Sequence, residues 1–269
     1  MVQNYKTFVV PPGIGDSAWV YMKLCNLDYD FNIEISSPKN EVGNNIMRRA
    51  GGLMEILPKV KSYKYLDFAV WHDDDTLPLS SDKMWIQANL HLESGKRIES
   101  FLPSIPTNLH FDINLPKCEK YGKIILYTAS LRANMNWRGW LPEDWDNIIG
   151  YLIGMGLQDD IVMVGAEWDR DYLWYCHQSY PDIEYMIGEP LESVLAVVNQ
   201  AKLLVGFPSG IPIMSIIMGT PTVMFYPKHL EKMMYTFHDK DTEHKYYCAV
   251  YGTDKASVTM VKKWIEQWI

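Results

Sequence analysis

The sequence predicts an α/β protein with parallel strands, and three observations carry that expectation. Short apolar runs with no polar alternation, such as Ile124–Tyr127, Ile161–Val164 and Leu203–Val205, have the make-up of strands covered on both faces. Gly206 ends the last of these runs, and Ile211, Met214, Ile217 and Met218 follow at helical spacing. Strand and helix alternate in this way from Phe8 onward, which is the order of a sheet whose crossovers are helices.

Taken in order, Phe8–Val10 is a strand that runs into PPGIGDSAW, and the residues after Asp16 form a helix to about Cys25. Phe31–Ile35 supplies a strand, Asn44–Leu53 a helix and Leu66–Trp71 another strand. The acidic run Asp73–Asp75 reads as a loop, and the less regular stretch Ile86–Ile98 concentrates polar groups near Gly95. Pro103, Pro106 and Pro116 hold the backbone toward extended forms, so residues 103–117 are expected to be a linker. After the strand Ile124–Tyr127, a helix opens at Pro142, which suits a first helical position, and runs to about Met155, with Gly156 as its stop. The strands Ile161–Val164 and Tyr185–Ile187 and the helix Leu191–Ala201 lead into LLVGFPSGIPIMSIIMGTPTVMFY, Leu203–Tyr226. That segment is a buried strand, a Ser-Gly turn, an apolar helix and a second buried strand. In Ser257–Ile269, the residues Val258, Val261, Trp264, Ile265 and Trp268 share one helical face. The division that follows is a first domain at residues 1–102, the linker, and a second domain at 118–256, with the helix 257–269 free to return to the first.

At 269 residues, the chain is long enough for two such domains. Its 48% hydrophobic and 22% charged content is that of a soluble globular protein, and no apolar run approaches the roughly 20 residues of a membrane span. MVQNYKTFVV lacks the basic start and long apolar core of a signal peptide, so a cytoplasmic location is expected. A net charge of −8 disfavours a general nucleic-acid-binding surface. Cys25, Cys118, Cys176 and Cys248 lie far apart, and neither they nor the seven histidines show metal-ligand spacing, so no metal and no cofactor are expected. The zinc-protease HExxH, the GxSxG elbow, the P-loop and GxGxxG are all absent, which removes the usual support for hydrolase, kinase and dehydrogenase chemistry.

Four places carry chemistry. In Gly13-Ile14-Gly15-Asp16, two glycines allow close backbone approach and a carboxylate stands at a helix start; Asp16 is either a cap or a general base at a cleft. In TASLRANMNWRGWLPEDW, Thr128–Trp145, the hydroxyls of Thr128 and Ser130 can donate to phosphate oxygens, and Arg132 and Arg138 can neutralise a leaving diphosphate. Trp137, Trp140 and Trp145 are expected to be packing residues. At Ser209, Gly210 and Ile211 a helix opens with its amides exposed, which attracts a diphosphate. Gly188 and Glu189 follow a strand at the same sheet edge, where Glu189 is either a ribose acceptor or a solvated carboxylate.

These residues resemble the GT-B glycosyltransferases, and specifically the ADP-heptose:lipopolysaccharide heptosyltransferase family, glycosyltransferase family 9. Gly206, Ser209, Gly210, Gly219, Thr220, Pro221, Thr222 and Val223 fall in the register of that family's DSGxxH segment and the G-TP-T-V that follows it. Trp140, Pro142, Glu143 and Trp145 resemble its W-P-E helix start, Val162–Asp169 its glycine-ended strand, and Gly13–Asp16 its N-terminal GxGD loop. The chain departs from the pattern at Pro208 and Ile213, where the family has an acid and a histidine, and at Gly139, beside Arg138, where it has a basic residue.

The resemblance implies two Rossmann-like domains facing a central cleft, and an inverting, metal-independent transfer of a sugar from a nucleotide-diphosphate donor to an acceptor hydroxyl. It implies Asp16 as the base. Gly13, Gly15, Thr128, Ser130, Arg132, Arg138, Glu189, Ser209, Gly210 and Ile211 then become the donor side, and His91, Glu93 and Arg97 candidates for the acceptor side. The acceptor is a glycan or another hydroxyl-bearing molecule. Two alternatives stay open: the same fold glycosylating a modified nucleic-acid base or a protein, and an inactive GT-B protein that binds a nucleotide or a glycan.

Overall fold

The computed structural model describes residues 6–10, 12–35, 41–66, 83–85, 106, 108–128, 140, 142–227, 246–251 and 258–269. They divide between two compact units, Met1–Leu115 and Pro116–Ile269.

The first unit runs β1 (Thr7–Val10), α1 (Ile14–Leu24), β2 (Phe31–Ile35), α2 (Glu41–Ile56), β3 (Val60–Tyr65) and β4 (Lys83–Trp85). Its four strands are parallel, in the order β3-β2-β1-β4. Phe8 of β1 and Phe31 of β2 meet edge to face, with centroids 5.3 Å apart, in a core that also takes Trp19, Met22 and Leu24 of α1. The outer pair is joined by polar ladders instead. Lys64 pairs with Glu34 at 2.9 Å and the Ser62 hydroxyl donates to Asn32 Oδ1 at 2.8 Å, each between residues in register.

The expectations for residues 66–117 meet the structure only in part. Of the strand expected at Leu66–Trp71, only Leu66 is described. The strand beside β2 is Val60–Tyr65, an edge strand whose side chains are largely exposed and therefore carry no apolar run. The acidic loop Asp73–Asp75 and the stretch Ile86–Ile98 lie outside the described residues. Where a linker is expected, residues 108–114 instead strap down helix ends. The Asn108 N–H donates to Met22 C=O and the Asn114 N–H to Ile56 C=O, both at 2.8 Å, and Phe111 packs on Tyr21 with centroids 4.7 Å apart. Carbonyls in the last turn of a helix lack partners within it, and the strap supplies them.

The second unit runs β5 (Ile124–Tyr127), α3 (Pro142–Gly154), β6 (Ile161–Gly165), α4 (Arg170–Ser179), β7 (Glu184–Ile187), α5 (Leu191–Asn199), β8 (Leu203–Gly206), α6 (Gly210–Ile217), β9 (Thr222–Pro227), β10 (Tyr246–Tyr251) and α7 (Val258–Ile265). The strands form one parallel sheet in the order β10-β9-β8-β5-β6-β7. β5, β6 and β8 are buried along almost their whole length, as their unbroken apolar runs require. The stop of α3 is Gly156, at φ 77°, and the Leu157 N–H returns to Leu152 C=O at 3.1 Å.

An aromatic cluster fills one side of this sheet. Trp140, Trp145, Phe207 and Phe225 pack with centroids 4.4 to 6.0 Å apart, all fully buried. Val261 and Ile265 of α7 enter the same core, and the Tyr151 hydroxyl donates to Glu266 Oε1 at 2.6 Å. The apolar stripe of the terminal helix is thus used within the second unit. Trp145→Ala should lower the unfolding free energy by about 3 to 5 kcal/mol, read from the midpoint of a guanidinium chloride titration.

Candidate functional site

The order of strands locates the crevice in each unit. In the second, the chain moves from β5 outward through β6 and β7, then crosses back to place β8 on the other flank of β5, with β9 and β10 beyond. The winding direction therefore reverses between β5 and β8. Loops leaving the carboxyl ends of two such strands diverge to opposite faces, and open α/β sheets bind ligands in the gap between them. The first unit repeats the device, with β1 as its interior strand and the reversal between β1 and β4.

Tyr127 of β5 stands opposite Gly206 of β8. A Cβ on Gly206 would lie 2.9 Å from the Tyr127 carbonyl oxygen and 3.3 Å from Pro212, so only glycine lets strand and helix approach this closely. Thr128 follows on β5 and is buried. On β8, Phe207 and Pro208 lead to Ser209, the N-cap of α6, in an extended conformation. Ser209 forms no side-chain cap, and among the described residues its buried hydroxyl has no hydrogen-bond partner. Such a group costs on the order of 1–3 kcal/mol, and a ligand oxygen would relieve it.

The helix itself offers little more than two donors. Gly210 and Ile211 are its first residues, Pro212 has no N–H, and the Ile213 N–H is already bonded to Ser209 C=O at 3.0 Å. The first turn carries no acidic residue, and Ile211–Ile217 are buried. The partial positive charge of the helix start therefore acts across an apolar surrounding, which screens it little.

Of the expected donor residues, Thr128, Ser209, Gly210 and Ile211 are brought to the ends of two adjacent strands. Ser130, Arg132 and Arg138 lie outside the described residues, as do His91, Glu93 and Arg97. Glu189 is exposed, just beyond Gly188 at φ 72°, and β7 is two strands from β5, about 10 Å away.

A different carboxylate stands nearer. Glu167 follows β6, the immediate neighbour of β5, and its side chain occupies the space that a Cβ on Gly188 would need. Arg170 grips it with Nε to Oε1 and Nη2 to Oε2, both 2.8 Å, and these bonds hold its pKa below the usual carboxylate range. The available signal was its place directly after the glycine-ended strand in VMVGAEWD.

In the first unit, Gly13 is the N-cap of α1 and Gly15 lies buried in the first turn. Asp16, half-buried, is the third helical residue, so it does not hold the N-cap position. Its carboxylate leans back over Gly13, where an added Cβ would come within 2.6 Å of Oδ2. Gly13 thus provides the space in which the acid sits, at the carboxyl end of the strand next to the reversal. Among the described residues, no group of three His, Cys, Asp or Glu is arranged to hold a metal ion, and no helix is long and apolar enough to cross a membrane.

By sequence, no family model and no curated protein matches the chain. Solved structures do. E. coli heptosyltransferase WaaC with ADP is similar over 98% of this chain and 100% of its own, at 14% identity and TM-score 0.63. E. coli ADP-heptose lipopolysaccharide heptosyltransferase II is similar over 98% of both chains, at 11% identity and TM-score 0.66. A glycosyltransferase family 9 protein from Veillonella parvula is similar over 100% of this chain and 98% of its own, at 12% identity and TM-score 0.66. The fold is that of the heptosyltransferases.

Within the heptosyltransferase fold, the departures at Pro208 and Ile213 have a physical description. Both residues are buried. The turn therefore presents its hydroxyl and amides without a neighbouring acid or imidazole. Gly206→Ala should force β5 and β8 apart at the turn, lowering Tm by several degrees in calorimetry, since backbone oxygen cannot yield as a flexible side chain does; an unchanged Tm would show that the contact relaxes without cost.

Proposed function

We propose that the chain is a GT-B glycosyltransferase, with a nucleotide-diphosphate sugar held by the second unit and the acceptor's proton taken by a residue of the first. The observation that carries this reading is the buried, partnerless Ser209 hydroxyl beside the open amides of Gly210 and Ile211, at the winding reversal of a heptosyltransferase-like fold. One hydroxyl and two amides suit the oxygens of a diphosphate. Thr128, with Ser130, Arg132 and Arg138 on the loop after β5, completes the anion site from the other flank.

In this reading transfer is inverting and needs no metal. Asp16 takes the proton of an acceptor hydroxyl as that oxygen attacks the anomeric carbon from the face opposite the leaving group. The new C–O bond forms while the bond to the diphosphate breaks, and the nucleoside diphosphate leaves with the electron pair. The amides of α6 and the arginines stabilise the developing charge, a task that fixed donors perform without reorganisation. Glu167, bonded to Arg170 and one strand from β5, is better placed than Glu189 to accept from ribose hydroxyls.

The missing acid and histidine at positions 208 and 213 favour one competing reading, a protein that binds a nucleotide or a glycan without transferring sugar. A panel of ADP-, GDP-, UDP- and CMP-linked donors with added EDTA separates the two, because only the enzyme releases free nucleotide. ADP-linked sugars come first, since a heptosyltransferase of this fold is seen with ADP and with ADP-2-deoxy-2-fluoro heptose. Asp16→Asn should reduce transfer by at least about a hundredfold while leaving donor affinity unchanged in calorimetry; transfer at the wild-type rate would remove Asp16 as the base. Glu167→Gln should weaken nucleoside diphosphate binding roughly tenfold, whereas Glu189→Gln should leave it within twofold, and the reverse ranking would restore Glu189 to the ribose.

A further inference from the structure

The helix that offers the two amides is apolar but for Ser215, and the side-chain hydrogen bond that fixes it among the described residues lies at its far end. The sequence of α6 is GIPIMSII, so Ser215 is its one polar side chain. Isoleucine, proline and methionine contacts hold a helix in place without specifying how far it slides or turns, and methionine in particular adapts its shape. The Gly210 and Ile211 amides therefore depend on an anchor located elsewhere.

That anchor is a buried chain of hydroxyl groups. The Thr222 hydroxyl donates to Thr220 C=O at 2.8 Å, and it lies 2.7 Å from Ser215 Oγ. With its only proton committed to that carbonyl, Thr222 accepts from Ser215, so the direction of the chain is determined. The Thr220 hydroxyl continues it by donating to Val198 C=O at 3.0 Å, which ties the assembly to α5. Ser215, Thr220 and Thr222 are all fully or almost fully buried. The backbone reinforces the same point: Gly219, at φ 81°, donates to Ile216 C=O at 2.9 Å, and the Thr220 N–H to Ser215 C=O at 3.0 Å, a Schellman stop at the end of α6.

We infer that the Ser215–Thr222 hydroxyl contact is a positioning device for the diphosphate site, setting the axial and rotational position of α6 and through it the Gly210 and Ile211 amides. Ser215 lies five residues from Gly210, about 7.5 Å along the axis, so it touches no ligand and acts only through the helix. The inference rests on the donor site proposed above. It adds two residues, Ser215 and Thr222, that sequence position alone assigns to core.

Two variants separate positioning from plain stability. Ser215→Ala removes the contact and leaves no buried donor unpaired, whereas Thr222→Ser keeps both hydroxyls and loses only a methyl group. Each should lower Tm by about 2–4 °C. ADP, GDP, UDP and CDP are titrated calorimetrically into the wild-type protein, and the tightest is used for the variants. Ser215→Ala should weaken it roughly tenfold, while Thr222→Ser stays within twofold of wild type. Should Ser215→Ala not fold, Thr222→Val, which removes the acceptor and keeps the shape, carries the same expectation. Unchanged affinity in Ser215→Ala, or equal weakening in both variants alongside Tm, overturns the positioning role while leaving the donor site standing. If none of the four binds to the wild type, the donor site falls and the inference falls with it.

Discussion

The register of β5 against β8, with Tyr127 opposite Gly206, is the constraint from which the second unit is built. Both strands are buried on two faces, so their backbone groups must be satisfied by one another and cannot slip without orphaning donors inside the core. Fixing that register sets the height at which each chain leaves the sheet. Thr128 and Phe207 emerge side by side for that reason, and the turn at Ser209 opens where the two crossovers part. A glycine at position 206 is the local condition, because any side chain would meet the Tyr127 carbonyl.

The electrostatics follow from the same geometry. A short helix with no acidic residue in its first turn and an apolar body retains its terminal field, since there is little polarisable matter to cancel it. Pro212 limits the donors to a pair, and the Ser209 hydroxyl stands beside them. In the first unit a different balance holds. There the helix start carries its own carboxylate, Asp16, folded over a glycine, so that end of α1 does not invite a second anion. One unit is disposed to take negative charge and the other already bears it.

Much of this was legible in the sequence where burial is complete. Ile124–Tyr127, Ile161–Gly165 and Leu203–Gly206 announce themselves because a strand with two covered faces has no room for polar alternation. The Ser209–Ile211 turn was legible for a related reason, as a serine and a glycine interrupt an otherwise apolar run. Elements at the margin were not. β3 reads VKSYKY because an edge strand answers to solvent and to its one neighbour, and α4, RDYLWYCHQS, shows no clean apolar stripe. The strap at residues 108–114 reads as a linker because prolines and extended backbone look alike whether free or bonded to helix ends. Glu167 escaped notice because its significance comes from sheet order and from the space above Gly188, and neither is a property of neighbouring residues in the chain.

Phe207 belongs at once to the aromatic cluster with Trp140, Trp145 and Phe225 and to the short link that leads into the turn. The protein therefore has little freedom to alter its ligand preference from this side of the crevice by changing residues one at a time. A substitution there is paid for in fold integrity before it can be tested against a new partner. Two proteins of this architecture can accordingly share the β8 turn and its core while differing in chemistry elsewhere.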